Sequence, residues 1–296
     1  MPTPAILMGA LGEIKPFLLI TVPLVMEKIF KSKVLPVLNK PVMKVLTAVP
    51  GVNQFIFKKI RNTLLAAFGG NIREIVMGGA ALNPEIEVWL KKIKLPFTVG
   101  YGMTEAAPLM AYEDWDKFVP KSCGKPIDTV EVRIDSEDPY NVVGEIQARG
   151  TNIMSGYYKN EDATKAAFTK DGWMNTGDLG IIDRKGNIFI KGRSKNMILS
   201  PNGQNIYPEE IEAVVNNQPY VVESIVLSRG AALVALVYMD AEKLVENNVV
   251  AADYSKELMK VVNSQMPAYS KLSAVEVVDA PFEKTPKMSI KRFLYS

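Results

Sequence analysis

Apolar and polar positions alternate most legibly between residues 71 and 105. Residues 72–77 (IREIVM) form a short apolar run that stops at Gly78-Gly79, which predicts a buried strand entering a tight turn. Asn83 then caps a predicted helix with Pro84 at its first position and Glu85 in its first turn. Ile86, Trp89, Leu90 and Ile93 recur at i, i+3, i+4 and i+7, so they share one face of that helix. A second apolar run, residues 97–99, ends in Gly100-Tyr101-Gly102. Strand–helix–strand is the unit of a parallel sheet, and open α/β sheets bind ligands at the C-terminal ends of their strands. Gly79-Ala80 and residues 102–105 are therefore expected to line one crevice.

Residues 118–192 change character. Short β-rich runs at 130–134, 144–148, 180–182 and 188–190 are separated by Gly and Asp turns, with residues 183–187 (DRKGN) as a hairpin turn. This predicts a small antiparallel or barrel-like subdomain. From about Arg193 the pattern changes again. A polar stretch, residues 200–204 (SPNGQ), leads to a helix near Pro208 whose Glu209 and Glu210 suit its N-terminal dipole. Strands are expected at 221–227, 233–238 and 275–278, with a helix around 255–266. The domain reading is 1–192, with its β-rich part at about 118–192, and then a small α+β domain over 193–296. The fold class is α/β. The apolar run at 16–26 (PFLLITVPLVM) is too short to cross a bilayer and reads as a buried strand or core helix.

Composition narrows the chemistry. The chain has 296 residues, 48% of them hydrophobic and 23% charged, which is ordinary for a globular protein. A net charge of +3 does not argue for nucleic acid. There is one cysteine, Cys123, and no histidine, which removes Ser-His-Asp and Cys-His mechanisms and the usual zinc sites. Lacking a disulfide framework, the chain is expected in the cytoplasm. Charge is uneven, however: from Lys28 to Arg73 there are nine basic residues and no Asp or Glu. That stretch reads as a solvated face or a covered surface, with attraction to anionic lipid at the inner membrane surface as the functional alternative.

Six short motifs occur in order: residues 77–82 (MGGAAL), 101–105 (YGMTE), Gly144-Glu145 with Gly156-Tyr157-Tyr158, Thr176-Gly177-Asp178, Gly192-Arg193 and residues 205–212 (NIYPEEIE). Together they resemble the AMP-forming adenylating enzymes, and within them the long-chain fatty acid–CoA ligases. The resemblance spans nearly the whole chain. It implies a large adenylate-forming domain followed by a mobile C-terminal lid domain. It also implies a reaction in which ATP activates a fatty acid to acyl-AMP, followed by transfer to CoA with Mg2+ as cofactor.

The family roles fall on particular residues. Glu105 matches the magnesium ligand and Thr104 the hydroxyl that contacts phosphate. Asp178 matches the carboxylate that accepts the ribose hydroxyls, with Arg193 on the same sugar. Tyr101 and the Gly79-Ala80 backbone would sandwich the adenine, and Gly102 would leave room near the acyl carboxylate. Lys195 matches the hinge about which the lid turns, and Gly203 the glycine lining the pantetheine tunnel. Trp173 reads as packing.

Two departures stand against this. No Ser/Thr/Gly-rich phosphate loop ending in Pro-Lys occurs, so the chain looks like the C-terminal half of an enzyme whose missing N-terminal half would be its partner, inactive alone. The family's C-terminal lysine lies in Thr-x-x-Gly-Lys-Ile-x-Arg, and aligning Thr285, Ile290 and Arg292 puts Ser289 at the lysine position. Lys287 and Lys291, two residues either side, are the substitutes considered. The alternatives are an acyl-AMP ligase that loads a carrier protein and a non-catalytic acyl- or nucleotide-binding module.

Overall fold

The computed structural model describes residues 4–285 and 289–295. It divides into two compact units: residues 1–133, 147–175 and 182–189 in the first, and 134–146, 176–181 and 190–296 in the second.

The first unit opens with α1 (Pro4–Ile14), β1 (Leu18–Thr21) and α2 (Pro23–Ile29). After one π-helical turn come α3 (Leu35–Leu38), α4 (Pro41–Ala48) and α5 (Val52–Ala67). Next come β2 (Glu74–Met77), α6 (Pro84–Lys92) and β3 (Phe97–Val99). Prolines start helices α2, α4 and α6, where a missing N–H costs nothing. Strands β1, β2 and β3 lie side by side and parallel, as the strand–helix–strand pattern predicts. Asn83 caps α6 by accepting from the backbone N–H of Glu85 at 3.0 Å and of Ile86 at 3.2 Å. Ile86, Leu90 and Ile93 are buried and Trp89 is partly so.

The run at 16–26 departs from expectation. It does contain strand β1 and the start of α2, but β1 is not buried. Leu19 pairs with Ile75 and Thr21 with Met77, which puts Leu18 and Ile20 on the opposite face from the buried Ile75 and Met77. Ile20 is 74% exposed. An unbroken apolar run carries no period-2 signal, so sequence could not say which face is covered.

A small antiparallel sheet follows, made of β4 (Tyr101–Gly102), β5 (Leu109–Tyr112) and β6 (Lys125–Pro126). Then come β7 (Val130–Asp135), β8 (Gly144–Gly150), α7 (Glu161–Ala167), β9 (Met174–Ile182) and β10 (Ile188–Arg193). Their sheet order is β10-β9-β8-β7, and each strand is divided between the two units. The barrel-like character expected here is realised as an open sheet, with β7 and β10 at its edges. Closure would require those two edges to pair. The DRKGN turn forms as expected, with Asp183 N donating to the Asn187 carbonyl at 2.9 Å.

The rest of the second unit is β11 (Ile198–Leu199), β12 (Asn205–Ile206), α8 (Pro208–Val215), β13 (Val221–Arg229), β14 (Ala232–Met239), α9 (Ala241–Glu246), α10 (Ala251–Gln265) and β15 (Ala274–Val278). Strand β14 pairs antiparallel with β13 and parallel with β15. Alternate residues of this sheet go to two cores. Val226, Ala235 and Val237 pack with Ile211, Val215, Leu258 and Val262 of α8 and α10. Ile225, Leu227, Val234 and Leu236 pack with Phe282 of the tail.

Candidate functional site

In the first unit the motif residues gather at the C-terminal ends of β2 and β3. The Gly78 N–H donates to Thr21 O at 3.1 Å, and Gly100 N to Met77 O at 2.9 Å, so the two glycine turns adjoin. Gly79 has φ +83°, where a side chain is strained although nothing lies within 4 Å of its Cβ position. Gly102 is constrained differently. A Cβ there would fall 2.0 Å from the Pro108 carbonyl oxygen, so its smallness is consumed by the chain's own backbone. Ala80 is exposed in that turn, and Tyr101 is buried, as a packing aromatic would be.

Thr104 and Glu105 sit on a 3-10 turn, Thr104 exposed and Glu105 half-buried. Three residues from further along the chain brace that turn. The Glu105 carbonyl accepts from Met154 N at 2.8 Å, and its carboxylate accepts from the Tyr157 hydroxyl at 3.0 Å. Asn152 Nδ2 donates to Ala106 O at 2.7 Å and to Leu109 O at 3.0 Å. Burial, and then the hydrogen bond to Glu105 and its charge, push the Tyr157 hydroxyl up. The sequence marks Tyr157 only as a motif member and gives it no role, because its partner is 52 residues away. Trp173 packs as expected, with the guanidinium groups of Arg133 and Arg149 4.5 and 4.6 Å from its ring centre.

In the second unit, Thr176-Gly177-Asp178 lies within strand β9 and is not a turn. Thr176 donates to Ile146 O at 2.7 Å and accepts from Asp178 N at 3.1 Å. Gly177, at φ +72°, donates its N–H to Glu145 Oε1 at 3.0 Å. The buried Asp178 carboxylate meets Arg193 Nε at 3.0 Å. Gly192 leaves room for Glu209, whose Oε2 would lie 2.8 Å from a Cβ there. Lys195 is exposed on a 3-10 turn, Ser194–Asn196, that is tied down by Asn196 Nδ2 donating to Glu209 Oε1 at 2.6 Å. Gly203, at φ +75°, occupies the turn between β11 and β12 and has nothing within 4 Å of its Cβ position. The same turn adjoins a groove of about 450 Å³ lined by Ile198, Leu199, Ser200, Pro201, Tyr269 and Lys271 among others.

The tail folds back on itself. Lys284 and Ile290 form an antiparallel bridge, and Thr285 N donates to Ser289 O at 2.8 Å. Ser289 is exposed beside this bridge. Lys291 is held by Glu283 at 3.1 Å. Lys287 lies outside the described residues.

Two family profiles match this chain: AMP-binding enzyme over residues 1–158, and AMP-binding enzyme C-terminal domain over residues 195–295. The chain belongs to the AMP-binding enzyme family. The chain is 30% identical over 261 residues to the long-chain-fatty-acid–CoA ligase FadD15 of Mycobacterium bovis, a match covering 80% of this chain and 42% of the ligase. It is 38% identical over 158 residues to the 2-succinylbenzoate–CoA ligase of Bacillus cytotoxicus, covering 52% and 32% respectively. The chain thus spans less than half the length of these relatives. Among solved structures, the ATP-bound RpMatB-BxBclM chimera B1 matches with a TM-score of 0.74 at 25% identity, over 99% of this chain and 53% of the chimera. The Bacillus subtilis o-succinylbenzoate CoA synthetase, MenE, in complex with the acyl-adenylate intermediate OSB-AMP, matches at 0.67 and 25%, over 81% and 50%. These comparisons place the chain in the family of the adenylate-forming acyl-CoA synthetases.

Proposed function

We propose that this chain carries the C-terminal part of the active site of a long-chain fatty acid–CoA ligase. The reaction joins a fatty acid carboxylate to the α-phosphate of ATP, releasing pyrophosphate, and then passes the acyl group from AMP to the thiol of CoA. The observation that carries the reading is the Asp178–Arg193 pair: the two residues that the motifs assign to one ribose meet at 3.0 Å, with the carboxylate buried. A buried carboxylate on a strand pinned at both of the preceding residues is preorganised to accept both sugar hydroxyls.

The remaining roles follow the chemistry. Two anions must be brought together, so positioning and charge compensation dominate. Glu105, braced by Tyr157, offers one hard oxygen ligand beside the exposed Thr104 hydroxyl. Among the described residues no group of three acidic, cysteine or histidine side chains forms a protein-only metal cage. A single carboxylate suits Mg2+, which takes most of its other ligands from phosphates and water and supplies charge neutralisation there. Gly79-Ala80 would bound the adenine. Lys195 is the pivot of the lid, and the turn at Gly203 with the groove beside it suits the thiol-bearing arm of CoA, with Lys271 as a cation for its phosphates.

Calorimetric titration of AMP and of a non-hydrolysable acyl-AMP analogue into the chain tests the reading. Binding that Asp178→Ala strongly weakens is expected. Equal binding by the variant would reduce Asp178 to a structural role. Because no phosphate loop occurs in the 296 residues, fatty-acid-dependent exchange of pyrophosphate into ATP is expected only when that loop is supplied, for example in a chimera with a relative. A second reading, nucleotide binding without adenylation, is favoured by an exposed Ser289 standing where the family motif has lysine. Activity of the chimera decides between them.

A further inference from the structure

We propose that the corner between α4 and α5 docks on an anionic lipid surface. The corner runs through Val49-Pro50-Gly51, with Gly51 at φ +86° supplying the bend. Its apolar side chains point out instead of in. Phe55 is 82% exposed, Val42 68% and Val45 66%, and Val49 and Val52 are exposed beside them. On α4, Val42 and Val45 lie at i and i+3, and on α5, Val52 and Phe55 at i and i+3, so each helix turns an apolar pair outward, with the extended Val49 exposed between them. No residue of α4 is buried. Apolar side chains that a helix turns away from its own core mark a contact with something else.

The charge around the corner says what that something is. Lys40 and Lys44 on the α4 side, and Lys58 and Lys59 on the α5 side, are exposed. Between Lys40 and Lys59 the sequence holds no Asp or Glu, so no acidic side chain within that stretch neutralises these four lysines. The outer face of α5 also carries a shallow depression bounded by Phe55, Lys58, Lys59, Asn62, Thr63 and Ala66. An apolar tip inside a collar of lysines is complementary to a bilayer interface with negative headgroups. The lysines sit at the phosphate level while Phe55 and the valines enter the acyl boundary. A protein partner would require its own apolar patch ringed by acids, whereas an anionic bilayer meets both demands at once. Among the described residues no helix is long and apolar enough to cross a membrane, so the contact is peripheral. The docking does not depend on which acid the enzyme activates. If the acid is long-chain, it brings the chain to the phase in which that substrate dissolves.

The test is co-sedimentation of the whole chain with vesicles of phosphatidylcholine alone and of phosphatidylcholine with an equal share of phosphatidylglycerol. Binding to the second and not the first is expected, weakening steeply as salt is raised. Lys58→Glu with Lys59→Glu, and separately Phe55→Ser with Val45→Ser, should each weaken it by at least about tenfold. All four positions are exposed, and circular dichroism checks that the variants fold. As a second readout, the Phe55→Trp variant should show blue-shifted indole emission, quenched by brominated acyl chains, only with the anionic vesicles. No sedimentation with anionic vesicles, binding unchanged by Phe55→Ser with Val45→Ser, or indole emission that vesicles leave unmoved would each overturn the proposal. So would a chain that is dimeric in solution and becomes monomeric with Phe55→Ser, which would make a second copy the occupant.

Discussion

Arg292 reaches back 80 residues to Glu212, its Nη2 donating to Glu212 Oε2 while its Nη1 donates to the Val226 carbonyl at 3.2 Å. The other carboxylate oxygen of Glu212 accepts from Val226 N at 2.6 Å. Helix α8, strand β13 and the tail are thereby joined at one buried carboxylate. The two residues come from motifs far apart along the chain: Glu212 ends NIYPEEIE, and Arg292 anchors the register of the tail.

The pair makes the second unit sensitive to pH. Burial pushes Glu212 up to about 7 from an ordinary 4.5, with the charge of Arg292 and the Val226 N–H holding it from rising further. The folded state therefore holds this proton more tightly than the unfolded chain does. The stabilisation is full below about pH 4.5 and is lost as pH rises through about 7. Arg292→Ala removes the opposing charge, so the group rises further and the loss deepens. We expect the variant to be destabilised by about 3–5 kcal/mol at about pH 8 and by much less at about pH 5. Urea unfolding at the two pH values measures this, and an equal loss at both would show that packing, not charge, is what Arg292 supplies.

The two site glycines should fail in different ways. Gly102→Ala forces a methyl onto the Pro108 carbonyl, 2.0 Å from its Cβ position, and onto Leu109 Cα at 2.9 Å. It should cost about 1–3 kcal/mol or more, since backbone must move. Gly79→Ala meets no atom but takes φ +83°, for about 1–2 kcal/mol. Thermal unfolding of both variants checks this. A Gly102→Ala variant as stable as the parent would mean that the loop to Pro108 yields freely.

Asp178→Ala is expected to weaken binding of AMP and acyl-AMP analogues by about 2–4 kcal/mol, the loss of charge-assisted hydrogen bonds from a preorganised carboxylate. Arg193→Ala should weaken it less, because Arg193 is mostly exposed and Thr176 and Glu145 still hold the strand. Affinity that falls equally in both variants would indicate that the ion pair, not the carboxylate, is recognised.

The tail lysine is testable in a chimera that contains the phosphate loop. The Lys291–Glu283 pair is solvent-accessible, worth about 1 kcal/mol at most, so it does not prevent Lys291 from turning to a phosphate. Lys291→Ala or Lys287→Ala, one and not both, should lower acyl-AMP formation at least about tenfold, roughly 1.4 kcal/mol. Thioester formation from preformed acyl-AMP should be kept. If neither variant slows the first step, no tail lysine serves it, and the binding-module reading gains.

What the sequence alone determined is what depends on neighbours a few residues away. The Asn83 cap, the buried face of α6, the DRKGN turn and the strands β13 to β15 all follow from local periodicity and hydrogen bonding within one turn or one hairpin. The family motifs were also readable, because each is a contiguous string. Tertiary structure decided the rest. Only the fold shows that Thr176-Gly177-Asp178 is strand and not turn, since what extends it is the neighbouring β8, reached through Ile146 O and Glu145. Only the fold pairs Tyr157 with Glu105, shows Gly102 filled by Pro108, and turns Ile20 outward although its sequence is as apolar as a core strand. Hydrophobicity says that a residue can be buried, but which face meets a partner depends on chain topology. Pairings across 52 or 80 residues are set by how the elements stack, a property that no local window of sequence contains.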